Sequence, residues 1–164
     1  MNKLHNKTII VVWEGVDGAG KTTLLNKALE ILISKNFKVL TYKTPSATPS
    51  GVFAKKYGEE ELKQLLRLIE RIGFKVFLKP DLYVIVDVKE EDRKRRLEIK
   101  ESQGGIEEEI EKNIEIQEQV RRFYKIFYEL RPLQTVWIVN AEGELENNTK
   151  IIVEKLLEIK KLRE

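Results

Sequence analysis

Residues 13–23 read Trp13-Glu14-Gly15-Val16-Asp17-Gly18-Ala19-Gly20-Lys21-Thr22-Thr23. Inside this stretch, Gly15 to Thr22 fit G-x-x-x-x-G-K-[ST]. That spacing describes a loop whose successive backbone N–H groups converge on a phosphate. Glycine suits such a loop because it curls the chain without a Cβ clash. A helix opening at the end of the loop would point the positive end of its dipole at the anion. Lys21 would then reach the β- and γ-phosphates, and the Thr22 hydroxyl would hold Mg²⁺. The competing explanation is a chance match in a glycine-containing turn, so the flanking elements decide.

Residues 8–13 (TIIVVW) form a continuous apolar, β-branched run. Such a run predicts a strand buried on both faces, as in a parallel sheet. After the loop, Leu24, Leu25, Ala28, Ile31 and Leu32 recur at helical spacing, which predicts a helix from about Lys21. Residues 38–42 (KVLTY) predict a second strand. Strand, helix and strand in this order make a βαβ unit and require a parallel sheet. The motif therefore follows a strand and opens a helix, the context that confirms a phosphate loop.

The rest of the chain continues the alternation. Residues 44–51 (TPSATPSG) predict a loop, and residues 59–71 a helix with Leu62, Leu65, Leu66 and Ile69 on one face. Residues 82–88 (LYVIVDV) predict a buried strand with Asp87 near its end, followed by a charged helix over 89–102. Gln103, Gly104 and Gly105 break that helix. One long helix is expected from 106 to about 130, stopped by Pro132. Residues 135–139 (TVWIV) predict a further strand, and Asn147-Asn148-Thr149 lead into a last helix. No internal repeat or low-complexity linker interrupts the pattern. The expected fold class is α/β: a three-layer α/β/α P-loop NTPase with a central parallel sheet, in one domain over residues 1–164.

Composition narrows the classes. The 30 basic and 27 acidic residues are mixed along the chain and leave a net charge of only +3, unlike a dedicated nucleic-acid binder. The apolar runs are too short to span a bilayer. Lys3 and His5 precede an apolar run, but that run leads into the glycine loop with no small-residue cleavage site, so no secretory signal is expected. The absence of cysteine excludes a disulfide framework and a thiolate metal site, and fits a cytoplasmic location.

The sequence Glu14-Gly15-Val16-Asp17-Gly18-Ala19-Gly20-Lys21-Thr22-Thr23 resembles the thymidylate kinase signature, in which an acidic residue sits inside the loop. The similarity continues in Lys43-Thr44-Pro45 to Thr48-Pro49, where that family has an Arg-Glu-Pro-type loop ending in Thr-Pro. Pro80-Asp81-Leu82 resembles its Pro-Asp-Leu strand, and Glu91, Arg96 and Lys100 match the charged positions leading into its lid. Val120-Arg121-Arg122-Phe123-Tyr124 is similar to its Val-Arg-x-x-Tyr helix. The resemblance implies transfer of the ATP γ-phosphoryl group to dTMP, with Mg²⁺, in a homodimer whose partners are small nucleotides rather than nucleic acid or membrane. It places ATP on Gly15, Val16, Asp17, Gly18, Ala19, Gly20, Lys21 and Thr22. Lys21, Asp17 and Arg96 become the expected catalytic residues.

Some assignments keep two readings. Asp17 would hold the acceptor's 3′-hydroxyl, or it is a turn-stabilising residue. Arg93, Arg96 and Lys100 lie at i, i+3 and i+7 on one helix face, within a lid-like segment of about 93–108. That face closes on phosphates, or it is a solvated face paired with Glu90, Glu91 and Glu98. Lys43 and Arg121 are further acceptor-side candidates; Arg121 and Arg122 could equally be surface residues. Gly18 stands where some relatives carry arginine, so the cation would come from the lid, yet residues 101–106 contain no arginine. The family's strand ending in Asp-Arg-Tyr has no counterpart here. Residues 73–78 cannot supply it as a parallel strand, because only three residues separate them from the next strand. Two alternatives stand beside the kinase: a nucleotide-binding protein without turnover, and a deoxynucleoside kinase. A GTPase is disfavoured because no Asn-Lys-x-Asp appears.

Overall fold

The computed structural model describes residues 8–41, 60, 63–64, 67, 80–104 and 113–162. Its centre is a three-stranded, all-parallel sheet in the order β1 (Val11–Gly15), β2 (Leu82–Asp87), β3 (Thr135–Val139). Val11 lies opposite Leu82 and Gly15 opposite Val86; Tyr83 lies opposite Thr135 and Asp87 opposite Val139. The middle strand is apolar from Leu82 to Val86 because both of its faces are covered there. Leu82, Val84 and Val86 on one face are fully buried, and so is Ile85 on the other.

Four α-helices are described along their length: α1 (Lys21–Ser34), α2 (Glu90–Ser102), α3 (Ile114–Leu130) and α4 (Leu145–Lys161). Leu24, Ala28 and Leu32 of α1 join Ile152, Val153 and Leu156 of α4 in one core cluster with the strands. Helix α3 lies over one sheet face, and the register shows which. Its Tyr124 reaches Glu14, its Phe127 ring meets Tyr83 edge-on, and its Tyr128 ring meets Trp137. Glu14, Tyr83 and Trp137 all point to the same side by strand pairing. The molecule is thus a mixed α/β fold with an open parallel sheet, compatible with α/β/α layering. No helix among the described residues is long and apolar enough to cross a membrane.

Several predicted elements shift. The first strand begins at Val11 rather than residue 8 and runs on to Gly15. Residues 38–41 form no strand, and Val39 and Leu40 are exposed. A strand exists only as a hydrogen-bonded partner, and no described residue ladders with this segment. Helix α3 starts at Ile114, not at 106, because the Asn113 side chain takes the Ile116 N–H in an N-cap. The last helix starts at Leu145, so Asn147, Asn148 and Thr149 lie inside it rather than leading into it; Asn148 and Thr149 are buried there. Their side chains donate to Val139 O and Leu145 O, which makes them tolerable inside it. Glu60, Lys63, Gln64 and Arg67 are helical, as predicted for 59–71. Residues 73–78 lie outside the described residues.

Candidate functional site

The loop is built by what β1 and β2 leave room for. Gly15 ends β1 with φ +147, and a Cβ there would sit 1.9 Å from the Val86 carbonyl oxygen. Only glycine lets the loop leave the sheet this close to β2. At the other end, Gly20 is the left-handed N-cap of α1, with φ 84 and ψ 26. Between them the Ala19 N–H donates to Val16 O at 3.3 Å, closing a turn. The first N–H groups of α1 have no intrahelical carbonyl and point out at this turn.

Lys21 folds back over the loop. Its Nζ donates to Gly15 O at 2.8 Å and Val16 O at 2.9 Å, and stands 3.6 Å from Asp17 Oδ1. These are neutral or exposed partners, so a phosphate could displace them at modest cost. Thr22 is exposed in the first turn of α1. Mg²⁺ takes few protein ligands and completes its shell with phosphate oxygens and water. An exposed hydroxyl beside Lys21 fits that habit, and Thr22 would hold the ion. Among the described residues no group of three or more His, Cys, Asp or Glu is placed to hold a metal.

The loop is braced from behind by α2 and by the residue after β3. Arg96 donates to Ala19 O at 3.2 Å, to Gly18 O at 3.5 Å and to Asn140 O at 2.7 Å. The Asn140 amide donates to Ala19 O at 2.7 Å. A second brace comes from α3. Gln117 accepts from the Asp17 N–H and donates to Asp17 Oδ2, both at 3.2 Å. Asn140 and Gln117 were not singled out in the sequence. For Gln117 the signal was present: it precedes Val120 by three and Tyr124 by seven, so a polar residue falls on the buried stripe of α3.

The other expected cations take different places. Arg93 is 1% exposed and binds Glu90 with two parallel hydrogen bonds of 2.8 Å. Arg121 donates to Asp87 Oδ1 at 2.8 Å and to Val88 O at 3.0 Å, 3.9 Å from Glu90. Lys100 is exposed near the end of α2, and Arg122 is exposed on α3. The face shared by Arg93, Arg96 and Lys100 is therefore neither solvated throughout nor a free lid; its first two residues pack beneath the loop. Residues 105–108 of the lid-like segment, and Lys43, lie outside the described residues.

The hydrogen bonds from Arg93 hold the Glu90 carboxyl below its ordinary range; burial opposes this, and the charges of Arg93, Arg121 and Lys94 reinforce it. A depressed folded value means the pair stabilises the protein above the unfolded carboxyl range and ceases to do so as pH falls through the folded value. Glu90→Gln is therefore expected to cost about 2–3 kcal/mol near neutral pH, since it removes the carboxylate charge facing a buried guanidinium. The difference from the unaltered protein should shrink below about pH 4. Urea unfolding at both pH values measures it, and a gap independent of pH would contradict the pairing.

No family model matches the sequence, and no curated protein matches it either.

Proposed function

We propose that this chain is an ATP-dependent phosphotransferase of the P-loop nucleoside monophosphate kinase type, converting dTMP to dTDP. One observation supports the donor half above all. Lys21 lies on the carbonyls of Gly15 and Val16, directly over a loop that enters α1 through a left-handed glycine. A lysine ammonium, a glycine turn and a helix N-terminus meeting at one point suit the terminal phosphates of a nucleotide. The acceptor half rests on the resemblance in residues 14–23 and 120–124, with Asp17 as the group that would accept a hydrogen bond from the acceptor's 3′-hydroxyl.

Phosphoryl transfer asks the protein for alignment and charge neutralisation rather than covalent chemistry. An acceptor phosphate oxygen forms a bond to the γ-phosphorus as the bridging bond to the β-phosphate oxygen breaks. Lys21 would leave its two carbonyls for the phosphate oxygens, and the loop N–H groups would hold the β-phosphate. Bound Mg²⁺ would neutralise negative charge on the phosphates. Arg96, anchored on Gly18, Ala19 and Asn140, would keep the loop in shape from behind.

A second reading, nucleotide binding without turnover, draws on one feature. Arg96 and Arg121 are both engaged within the protein, so neither points an unoccupied guanidinium at an acceptor. Coupled ADP release with ATP, Mg²⁺ and a panel of nucleoside monophosphates separates the two. Turnover highest on dTMP is the expected result. ATP binding without turnover on any acceptor would favour the second reading, and turnover on thymidine but not dTMP would favour a deoxynucleoside kinase.

A further inference from the structure

We infer that Gln117 is a positioning residue: it orients Asp17 toward the acceptor hydroxyl and keeps the site from holding a second negative charge there. This rests on the reading of Asp17 given above. Gln117 is 1% exposed in α3, where an unbonded amide would be costly. Both ends of its amide meet the same residue, 100 positions earlier in the chain. The oxygen takes the Asp17 N–H and the nitrogen donates to Asp17 Oδ2. The pairing orients the amide, because the backbone offers a donor and the carboxylate offers only acceptors.

The consequence is a division of labour between the Asp17 oxygens. Oδ2 is held by Gln117, while Oδ1 faces Lys21 at 3.6 Å. Backbone and side chain of residue 17 are thus both held before any acceptor arrives, which is what preorganised positioning requires. Lys21 of α1 and Arg96 of α2 bring positive charge to the loop, while Arg93, whose stem lies against Gly18, is already matched by Glu90. From α3, Arg121 is already matched by Asp87, and on β1 Glu14 accepts from Tyr124. A neutral amide lets Asp17 stay a lone anion that accepts from a hydroxyl. A carboxylate in its place would oppose Asp17 and compete for a proton.

The test is Gln117→Glu, nearly isosteric, with Gln117→Ala beside it and a thermal melt on each to establish folding. The reader is kcat/KM for dTMP relative to the unaltered protein between about pH 6 and pH 8, with the Kd for ATP measured in parallel. Near pH 8 Gln117→Glu should lose roughly ten- to a hundredfold in kcat/KM. The loss should shrink several-fold toward pH 6, as the two facing carboxyls come to share one proton. Gln117→Ala should lose activity without that pH trend, and the Kd for ATP should change by a clearly smaller factor than kcat/KM in both. A Gln117→Glu profile parallel to the unaltered protein, or an equal loss in ATP binding, would overturn the inference alone. Absence of dTMP turnover in the unaltered protein would instead overturn the functional reading, and this inference with it.

Discussion

Lys21→Ala is expected to lose about 10²–10³-fold in phosphoryl transfer, in line with removal of one preorganised charge that acts on the transferring group. ATP affinity should fall with it, because the same ammonium is the only side-chain cation inside the loop motif. The fold should survive. The Lys21 side chain is 30% exposed, and its two hydrogen bonds go to backbone carbonyls of the loop itself rather than tying separate elements together. A change in unfolding free energy within about 1 kcal/mol follows. ATP titration, ADP release and a thermal melt on one preparation check all three parts. Turnover that persisted in a folded Lys21→Ala protein would end the assignment of residues 15–22 as the phosphate site.

Gly15→Ala should act through the fold instead. The added methyl would overlap the Val86 carbonyl at 1.9 Å, and φ is +147. The obstacle is backbone of the middle strand, which cannot turn aside as a flexible side chain would. Moving it breaks the pairing of Gly15 with Val86 at the point where the loop leaves the sheet. Overpacking and backbone strain together give an expected loss of about 3 kcal/mol or more. For a chain of this size that is a fall in Tm of about 6–12 °C. Gly143→Ala is the control. Its φ is +81, but nothing lies within 4 Å of the new methyl, so it should cost only about 1 kcal/mol. Equal losses at the two positions would show that dihedral strain, not contact with β2, governs Gly15.

Legibility in the sequence followed the range of the forces involved. Residues 82–86 and 136–139 are apolar runs of the kind a parallel sheet selects, and the bounds of both strands were read to within a residue. Helix α1 was readable from the spacing of Leu24, Ala28 and Leu32. Residues 38–41 misled because Val39 and Leu40 have strand propensity, while strand formation depends on a partner elsewhere in the chain. The start of α3 was missed for a local reason. Asn113 reads as one more polar residue in a charged run until its side chain is seen on the Ile116 N–H.

The site divides along the same line. The sequence by itself picked out the glycines, Lys21 and Thr22 as a candidate phosphate loop, because such a loop is a contiguous piece of backbone and its pattern is written at fixed spacing. Only the tertiary structure decided what holds that loop. Asn140 comes from beyond β3, Gln117 from α3 and Arg96 from α2, each 77 or more residues from its partner in the loop. It also decided that Arg93 is buried against Glu90 rather than displayed beside Arg96 and Lys100. Helical spacing says which residues share a face. Whether that face meets solvent, a ligand or the underside of a loop depends on where packing sets the helix, and long-range packing leaves no periodic mark in the chain.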